Sequence, residues 1–329
     1  MTALAILQTI GGFLLLFLGG ELLLRGAIGL ARILGLPPLL IGLTVVAAAT
    51  SMPELVVTLT AGLSEVPDLG VGNIVGSNIA NILLILGAAA VVRPIVTHPR
   101  VVLRDAGAVL IATALFIGFG LIGPLGRIHG AVMLALLGFY LWFGYGSEMR
   151  ARDARAGAGA GAGLGENLTG FGRAPTTTAA ALGRVAAGTV GLVVGSDLLV
   201  AGAVEIARAA GLSETVIGLT LIAVGNSLPE LATAIVAARH GHADVALGNA
   251  LGSNIFNLLL VLGVFALATP LSLAPEVLRF DIWVMAGVTV AVIPIMLSGW
   301  RISRREGVLF LGLYAAYIGV QFAPAAGAG

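Results

Sequence analysis

Two glutamates interrupt long apolar runs, and each directly follows a proline, as Pro53-Glu54 and Pro229-Glu230. An ionised carboxylate at that depth in a membrane is costly unless it faces a cation or a watery cavity. Proline has no N–H, so the carbonyl four residues back loses its helical partner, and the ring opens that turn. Backbone oxygens near Ala47–Thr50 and Ala223–Asn226 are therefore expected to face a cation. Further oxygens are at hand in the hydroxyls of Ser51, Ser77, Ser227 and Ser253 and the amides of Asn81 and Asn257. Calcium and sodium are hard cations that take oxygen ligands, about 6–8 for calcium. Softer metals call for Cys or His. Cysteine is absent, and His98, His129, His240 and His242 fall at span ends or in connections. The His240-Gly241-His242 segment reads as a solvated loop. Ser77 and Asn81 are four apart and share a helical face, as do Ser253 and Asn257. Asn78 and Asn254 point elsewhere and read as polar glue between helices.

The elements that must position these groups are membrane helices. Of 329 residues, 58% are hydrophobic and 10% charged, and the mean hydropathy is +1.07. A soluble domain carries about 25% charged residues, so most of this chain's outside is expected to face lipid. The runs do not alternate as barrel strands do. An all-α membrane protein follows, with ten spans near 4–24, 39–62, 70–92, 105–124, 129–147, 180–204, 214–238, 245–269, 280–299 and 307–323. The first is read as a span because it lacks a basic n-region and a cleavage site. All 17 basic residues are Arg, which reads as a composition bias. Fourteen fall in one set of alternate connections; Arg127, Arg208 and Arg279 fall in the other. By the positive-inside rule both termini lie outside and the segment 148–178 is cytoplasmic. That segment holds a Gly/Ala run at Ala156–Gly165 and is expected to be a flexible linker; the tail from Ala323 is expected to be unstructured. A net charge of +1 offers nothing to nucleic acid.

Shifting the chain by 176 residues lays Ile41–Gly87 on Ile217–Gly263 without a gap, with 22 of 47 positions identical. Shared hydrophobicity aligns Leu, Val and Ala. It does not align Pro53 with Pro229, Glu54 with Glu230, Asn73 with Asn249, or Ser77-Asn78 with Ser253-Asn254. The chain thus divides into a first five-helix repeat (1–147, motif 41–87), the linker (148–178) and a second five-helix repeat (179–329, motif 217–263). Five is odd, so the second copy enters the membrane from the opposite side. The result is an inverted-topology pair with the ion site near the midplane. Gly72, Gly76, Gly248 and Gly252 let helices approach closely.

The paired motifs GLTVVAAATSMPEL/GLTLIAVGNSLPEL and GNIVGSNIANILLILG/GNALGSNIFNLLLVLG resemble the repeats of the calcium/cation antiporter superfamily, notably the compact prokaryotic sodium/calcium exchangers. The resemblance implies four cation sites in a diamond between the repeats. By motif, Glu54 and Glu230 bind calcium with backbone oxygens of Thr50 and Asn226. Sodium sites use Ala47, Ser51 and Ser77, and Ala223, Ser227 and Ser253, together with both glutamates; Asn81 and Asn257 line the central site. Some compact exchangers carry Asp where this chain has Asn257, which leaves two formal negative charges here. Gly225-Asn226 is similar to proton-coupled and potassium-dependent branches.

The expected function is secondary antiport of calcium against sodium by alternating access. A calcium/proton antiporter using the same two glutamates is the alternative, and a passive cation channel a remote one. The first and sixth spans are expected to slide against the other eight. Glu21 and Asp197, at equivalent repeat positions, read as gating or structural groups. No catalytic set, phosphate loop or cofactor motif is present, so no enzyme activity is expected. The partners implied are calcium and sodium ions and the bilayer of the inner (plasma) membrane, without an obligatory protein partner.

Overall fold

The computed structural model describes residues 3–63, 67–97, 99, 102–157, 175–210, 223–275 and 277–326. Within them eight helical stretches are long and apolar enough to cross a membrane. Of the other two expected spans, 307–323 lies inside the helix Arg304–Ala326. The one at 214–238 is helical over Ala223–Gly225 and Leu228–Arg239, and 211–222 lie outside the described residues.

The helices Ala3–Leu34 and Thr178–Ala209 each run to 32 residues, well past the ends expected from hydropathy. Arg25 does not stop the first, because its guanidinium donates to Glu21 one turn earlier at 2.7 and 3.0 Å. The end comes at Gly35, whose φ of +65° suits a left-handed cap. There Gly35 N–H reaches the Arg32 carbonyl and Leu36 N–H reaches the Ala31 carbonyl. Thr177 caps the start of the second long helix through its hydroxyl, which accepts from Ala180 N–H. The helix Arg127–Gly157 extends ten residues into the stretch expected to be linker, and 158–174 lie outside the described residues. The last helix continues to Ala326, past the expected start of the tail, after a capping box in which Ser303 and Glu306 bond reciprocally.

The two 32-residue helices are antiparallel and joined by small residues at every seventh position. Ala5, Gly12, Gly19 and Gly26 on one face Gly202, Gly195, Gly188 and Ala181 on the other. A Cβ added at any of the six glycines would fall within 2.8 Å of the facing helix. The backbones therefore touch, and the pair is one body.

The third and eighth spans form the centre: within Gly70–Val92 and Ala243–Ala268, 78% and 83% of an apolar 18-residue stretch is buried, against 28% of such a stretch in the N-terminal helix. Gly248 and Gly252 bring the eighth span onto the backbone of Leu39 and Leu43, where a Cβ would sit 2.6 Å from either carbonyl. Several features recur at a shift of about 176. Five-residue and six-residue π turns occupy Asn81–Ile85 and Phe256–Val261, and others open the fourth and ninth spans at Val102–Ala106 and Val277–Asp281. Tyr140 donates to Asp105 at 3.1 Å and Tyr317 to Asp281 at 3.0 Å, tying the last two spans of each half together. Short extended segments also pair in the connections, Ile95 with Ile302 and Leu125 with Leu271. Periodicity misses such pairs because they are only one or two residues long.

The histidine segment is not the solvated loop expected. His242 is buried, and His240 Nε2 lies 2.8 Å from Glu21 Oε2 on the N-terminal helix. Gly241, at φ +90°, ends the preceding helix and turns His242 inward. Among the described residues no three His, Asp or Glu cluster as a metal site. Burial lowers the His242 pKa; Asp244 opposes this, while His240, Arg32 and Arg93 add to it. The fold thus favours neutral His242. Below the unfolded value of about 6.5 the unfolded chain takes the proton first, and stability falls until the folded pKa is passed. Thermal stability in detergent is expected to drop as pH falls through the range just below about 6.5, and His242→Gln is expected to flatten that drop. An unchanged pH profile in the variant would exclude His242 as its source.

Candidate cation site

The two broken helices share one geometry. The helix Ala47–Thr50 stops at Ser51, at φ −82° and ψ 3°, and resumes as Met52–Leu63. The helix Ala223–Gly225 stops before Ser227, at φ −92° and ψ 5°, and resumes as Leu228–Arg239. Both serines sit in the sparsely populated bridge between the α and β regions. Pro53 and Pro229 stand in the first turn of the resumed helices, where no backbone N–H is needed. Fewer carbonyls are freed than the prolines suggest. Ala47 C=O accepts Ser51 N–H at 2.9 Å and Val224 C=O accepts Ser227 N–H at 3.0 Å. The Ala47 carbonyl also accepts from Thr50 Oγ1 at 3.4 Å, and the Val224 carbonyl has a second lone pair.

Glu54 and Glu230 are 1% and 0% exposed, and their carboxyls face one another at interaction distance with the Thr50 hydroxyl beside Glu230. Two buried carboxyls from opposite halves that face one another make a locus for positive charge. Around them Ala47, Thr50, Ser51, Ser77, Asn81, Ser227, Ser253 and Asn257 are all buried. Ala47 packs on Gly252. Asn226 is half-buried, and of Ala223 only the backbone placement is described.

The amides divide into two groups. Asn81 donates to Asn254 Oδ1 at 2.9 Å, Asn254 donates to the Asn78 carbonyl at 3.3 Å, and Asn78 donates to the Ile74 carbonyl at 2.7 Å. Asn254 is thus the interhelical glue, joined to Asn81 and to the Asn78 main chain, whereas the Asn78 side chain bonds only within its own helix. Asn257, by contrast, is fully buried, and neither amide atom bonds to protein. Asn81 opens one π turn and Asn257 lies at the start of the other. π turns insert one residue into a helix and gather at functional sites. No hydropathy or spacing signal marks them.

Buried oxygens that bond to no protein group collect here: Ser51, Ser227 and Ser253 Oγ, Glu54 Oε2, both Glu230 oxygens, and the Asn81 and Asn257 Oδ1. Each would cost about 1–3 kcal/mol if it stayed unsatisfied. The set holds carboxyl, hydroxyl and amide oxygens from both motif copies. It is rich in oxygen and free of sulfur and imidazole, which is the chemistry of a hard cation. Two further residues belong to the arrangement. Asn249 Oδ1 accepts from Thr50 Oγ1 at 3.1 Å, and Asn73 Oδ1 accepts from Asn226 Nδ2 at 2.8 Å. The repeat marks both as identical positions but does not say what they touch.

The pattern described as "Sodium/calcium exchanger protein" matches residues 4–146 and 180–323, one stretch in each half. Inner membrane protein YrbG of Escherichia coli is 38% identical over 315 residues, covering 94% of each chain. Sodium/calcium exchanger MaX1 of Methanosarcina acetivorans is 32% identical over 340 residues, covering 94% of this chain and 96% of that one. A structure of the sodium-calcium exchanger NCX_Mj superposes with a TM-score of 0.81 at 28% identity, covering 98% of this chain and 100% of the other. Paired proline-glutamate breaks, buried oxygens without protein partners in both motif copies, and matches running through both halves lead to one conclusion: the chain belongs to the sodium/calcium exchanger protein family.

Proposed function

We propose that this protein exchanges calcium for sodium across the inner membrane by alternating access, the two ions taking turns in the cavity between Glu54 and Glu230. The observation that carries the reading is the pair of buried carboxyls, one from each half, set at matching helix breaks among unbonded oxygens. Calcium is held by Glu54 and Glu230 with the backbone oxygens of Thr50 and Asn226. Sodium is held on one side by Ala47, Ser51 and Ser77 and on the other by Ala223, Ser227 and Ser253, each with the glutamates. Asn81 and Asn257 line the central position. The placement goes with a chain of ten spans in two inverted five-helix repeats. The recurrence of π turns, Asp–Tyr pairs and connection pairings at a shift near 176 favours that architecture.

Exchange follows from electrostatics. One calcium or several sodium ions balance two carboxylates, whereas an empty, charged cavity in low dielectric is strongly disfavoured. The carrier therefore crosses loaded. The glycine-paired helices Ala3–Leu34 and Thr178–Ala209 move as one body against the remaining spans, because their own interface has no room to slip. Both termini lie outside and the 148–178 linker is cytoplasmic. No cofactor or catalytic residue is assigned.

Calcium-45 uptake into proteoliposomes with clamped voltage tests the coupling. An outward sodium gradient alone is expected to drive uptake. Uptake that needs an outward proton gradient would reassign the same glutamates to proton exchange, and uptake without either gradient would make the protein a channel.

A further inference from the structure

We infer that Asn73 and Asn249 are positioning residues that clamp the two helix breaks from the opposite half of the molecule. The inference rests on the cation-site reading above and deepens it. Residues 50 and 226 stand immediately before the break serines and four residues before the glutamates. Each would supply a backbone oxygen. At a break the helical ladder is interrupted, so the peptide at that point is the least restrained part of its span. The restraint comes from across the repeat interface. Thr50 Oγ1 donates to Asn249 Oδ1 at 3.1 Å, and Asn226 Nδ2 donates to Asn73 Oδ1 at 2.8 Å. Shifting one pair by 176 gives the other, so both copies use the same register although the residue at the break differs.

Two consequences follow. First, the change from Thr50 to Asn226 keeps a donor for the clamp, a hydroxyl in one copy and an amide nitrogen in the other. The Asn226 side-chain nitrogen is engaged by Asn73, and the shared contribution of the two positions is the main-chain oxygen. Second, the distance between the breaks is set by contacts that join one half to the other. The carrier's affinity is then sensitive to a bond that never touches the ion. Thr50 and Asn249 are 1% and 0% exposed, so water does not replace that bond.

The test is a double-mutant cycle on Thr50 and Asn249, read as calcium binding to the purified, detergent-solubilised protein. Thr50→Val and Asn249→Ala are each expected to weaken binding about three- to tenfold, the size of one buried hydrogen bond. The double variant is expected to be no weaker than the worse single variant, since the bond is lost once. Thr50→Ser, which keeps the hydroxyl, is expected to recover most of the affinity. In uptake assays the loss should fall on KM and spare the maximal rate. Additive effects in the cycle, or a loss of thermal stability with no change in affinity, would overturn the clamp. Glu54→Gln is the reference that separates the two readings. If it binds calcium as wild type does, the cation site itself is misassigned. If it abolishes binding while the cycle is additive, only the clamp fails.

Discussion

Replacing Glu54 or Glu230 with glutamine is expected to lower calcium uptake at least about 100-fold while the protein folds and inserts as before. At a separation near 4 Å and an effective dielectric of about 20, one unit charge on another contributes about 4 kcal/mol. A divalent ion that loses one of two balancing carboxylates loses more than that, and the alternative of bulk water remains unchanged. Each decade of rate or affinity corresponds to about 1.4 kcal/mol, so a two-decade loss is a low estimate. Folding is spared because glutamine has the same shape, and burying a neutral amide costs less than burying a carboxylate. Both carboxyls are inaccessible to solvent, so no exposed surface changes. Uptake under an outward sodium gradient, alongside a thermal melt of the same preparation, makes the measurement. A glutamine variant retaining a tenth of wild-type uptake would remove that glutamate from the site.

Gly12→Leu is expected to abolish transport and lower stability, whereas Gly11→Leu, one residue away, is expected to do neither. A Cβ at Gly12 meets Leu199 N at 2.5 Å and the Gly195 carbonyl at 2.7 Å, while a Cβ at Gly11 has no neighbour within 4 Å. The first substitution drives two backbones apart along the face that joins the 32-residue helices. Overpacking of that kind costs about 1–3 kcal/mol. The second adds an apolar side chain where the helix is open, and leucine is a better helix former than glycine by about 1 kcal/mol. Gly188→Leu and Gly195→Leu should repeat the first result from the facing helix. The comparison is made by thermal melts and sodium-driven uptake on matched samples. Equal effects at positions 11 and 12 would mean that the small-residue ladder does not join the pair.

How much of this was open to reading from residues alone depends on the range of the interaction concerned. Composition determined that the chain crosses membranes, because a 10% charged sequence has no water-facing surface to spare. The internal identity at a shift of 176 determined which polar residues matter as pairs, and the proline-glutamate motifs identified the family. Local chemistry also located the two breaks, since a proline acts on its own turn. Hydropathy under-read the long helices, because the Glu21–Arg25 pair hides a charge that would otherwise mark an end. It misread His240 and His242, whose surroundings come from residues more than 100 positions away.

Only the tertiary structure decided what lies opposite what. The seven-residue spacing of Gly12, Gly19 and Gly26 is visible in the sequence, as is that of Gly188, Gly195 and Gly202. That the two rows interlock is a matter of antiparallel register. The π turns at Asn81 and Asn257 carry no local signature, because an inserted residue is tolerated only where the surrounding helices repay the altered bonding. The pairings of Asn249 with Thr50 and Asn73 with Asn226 exist because each half packs its third span against the other half's break. The sequence names the ligating chemistry through residue type, which is a local property. The distances that make it a site belong to packing, which is not.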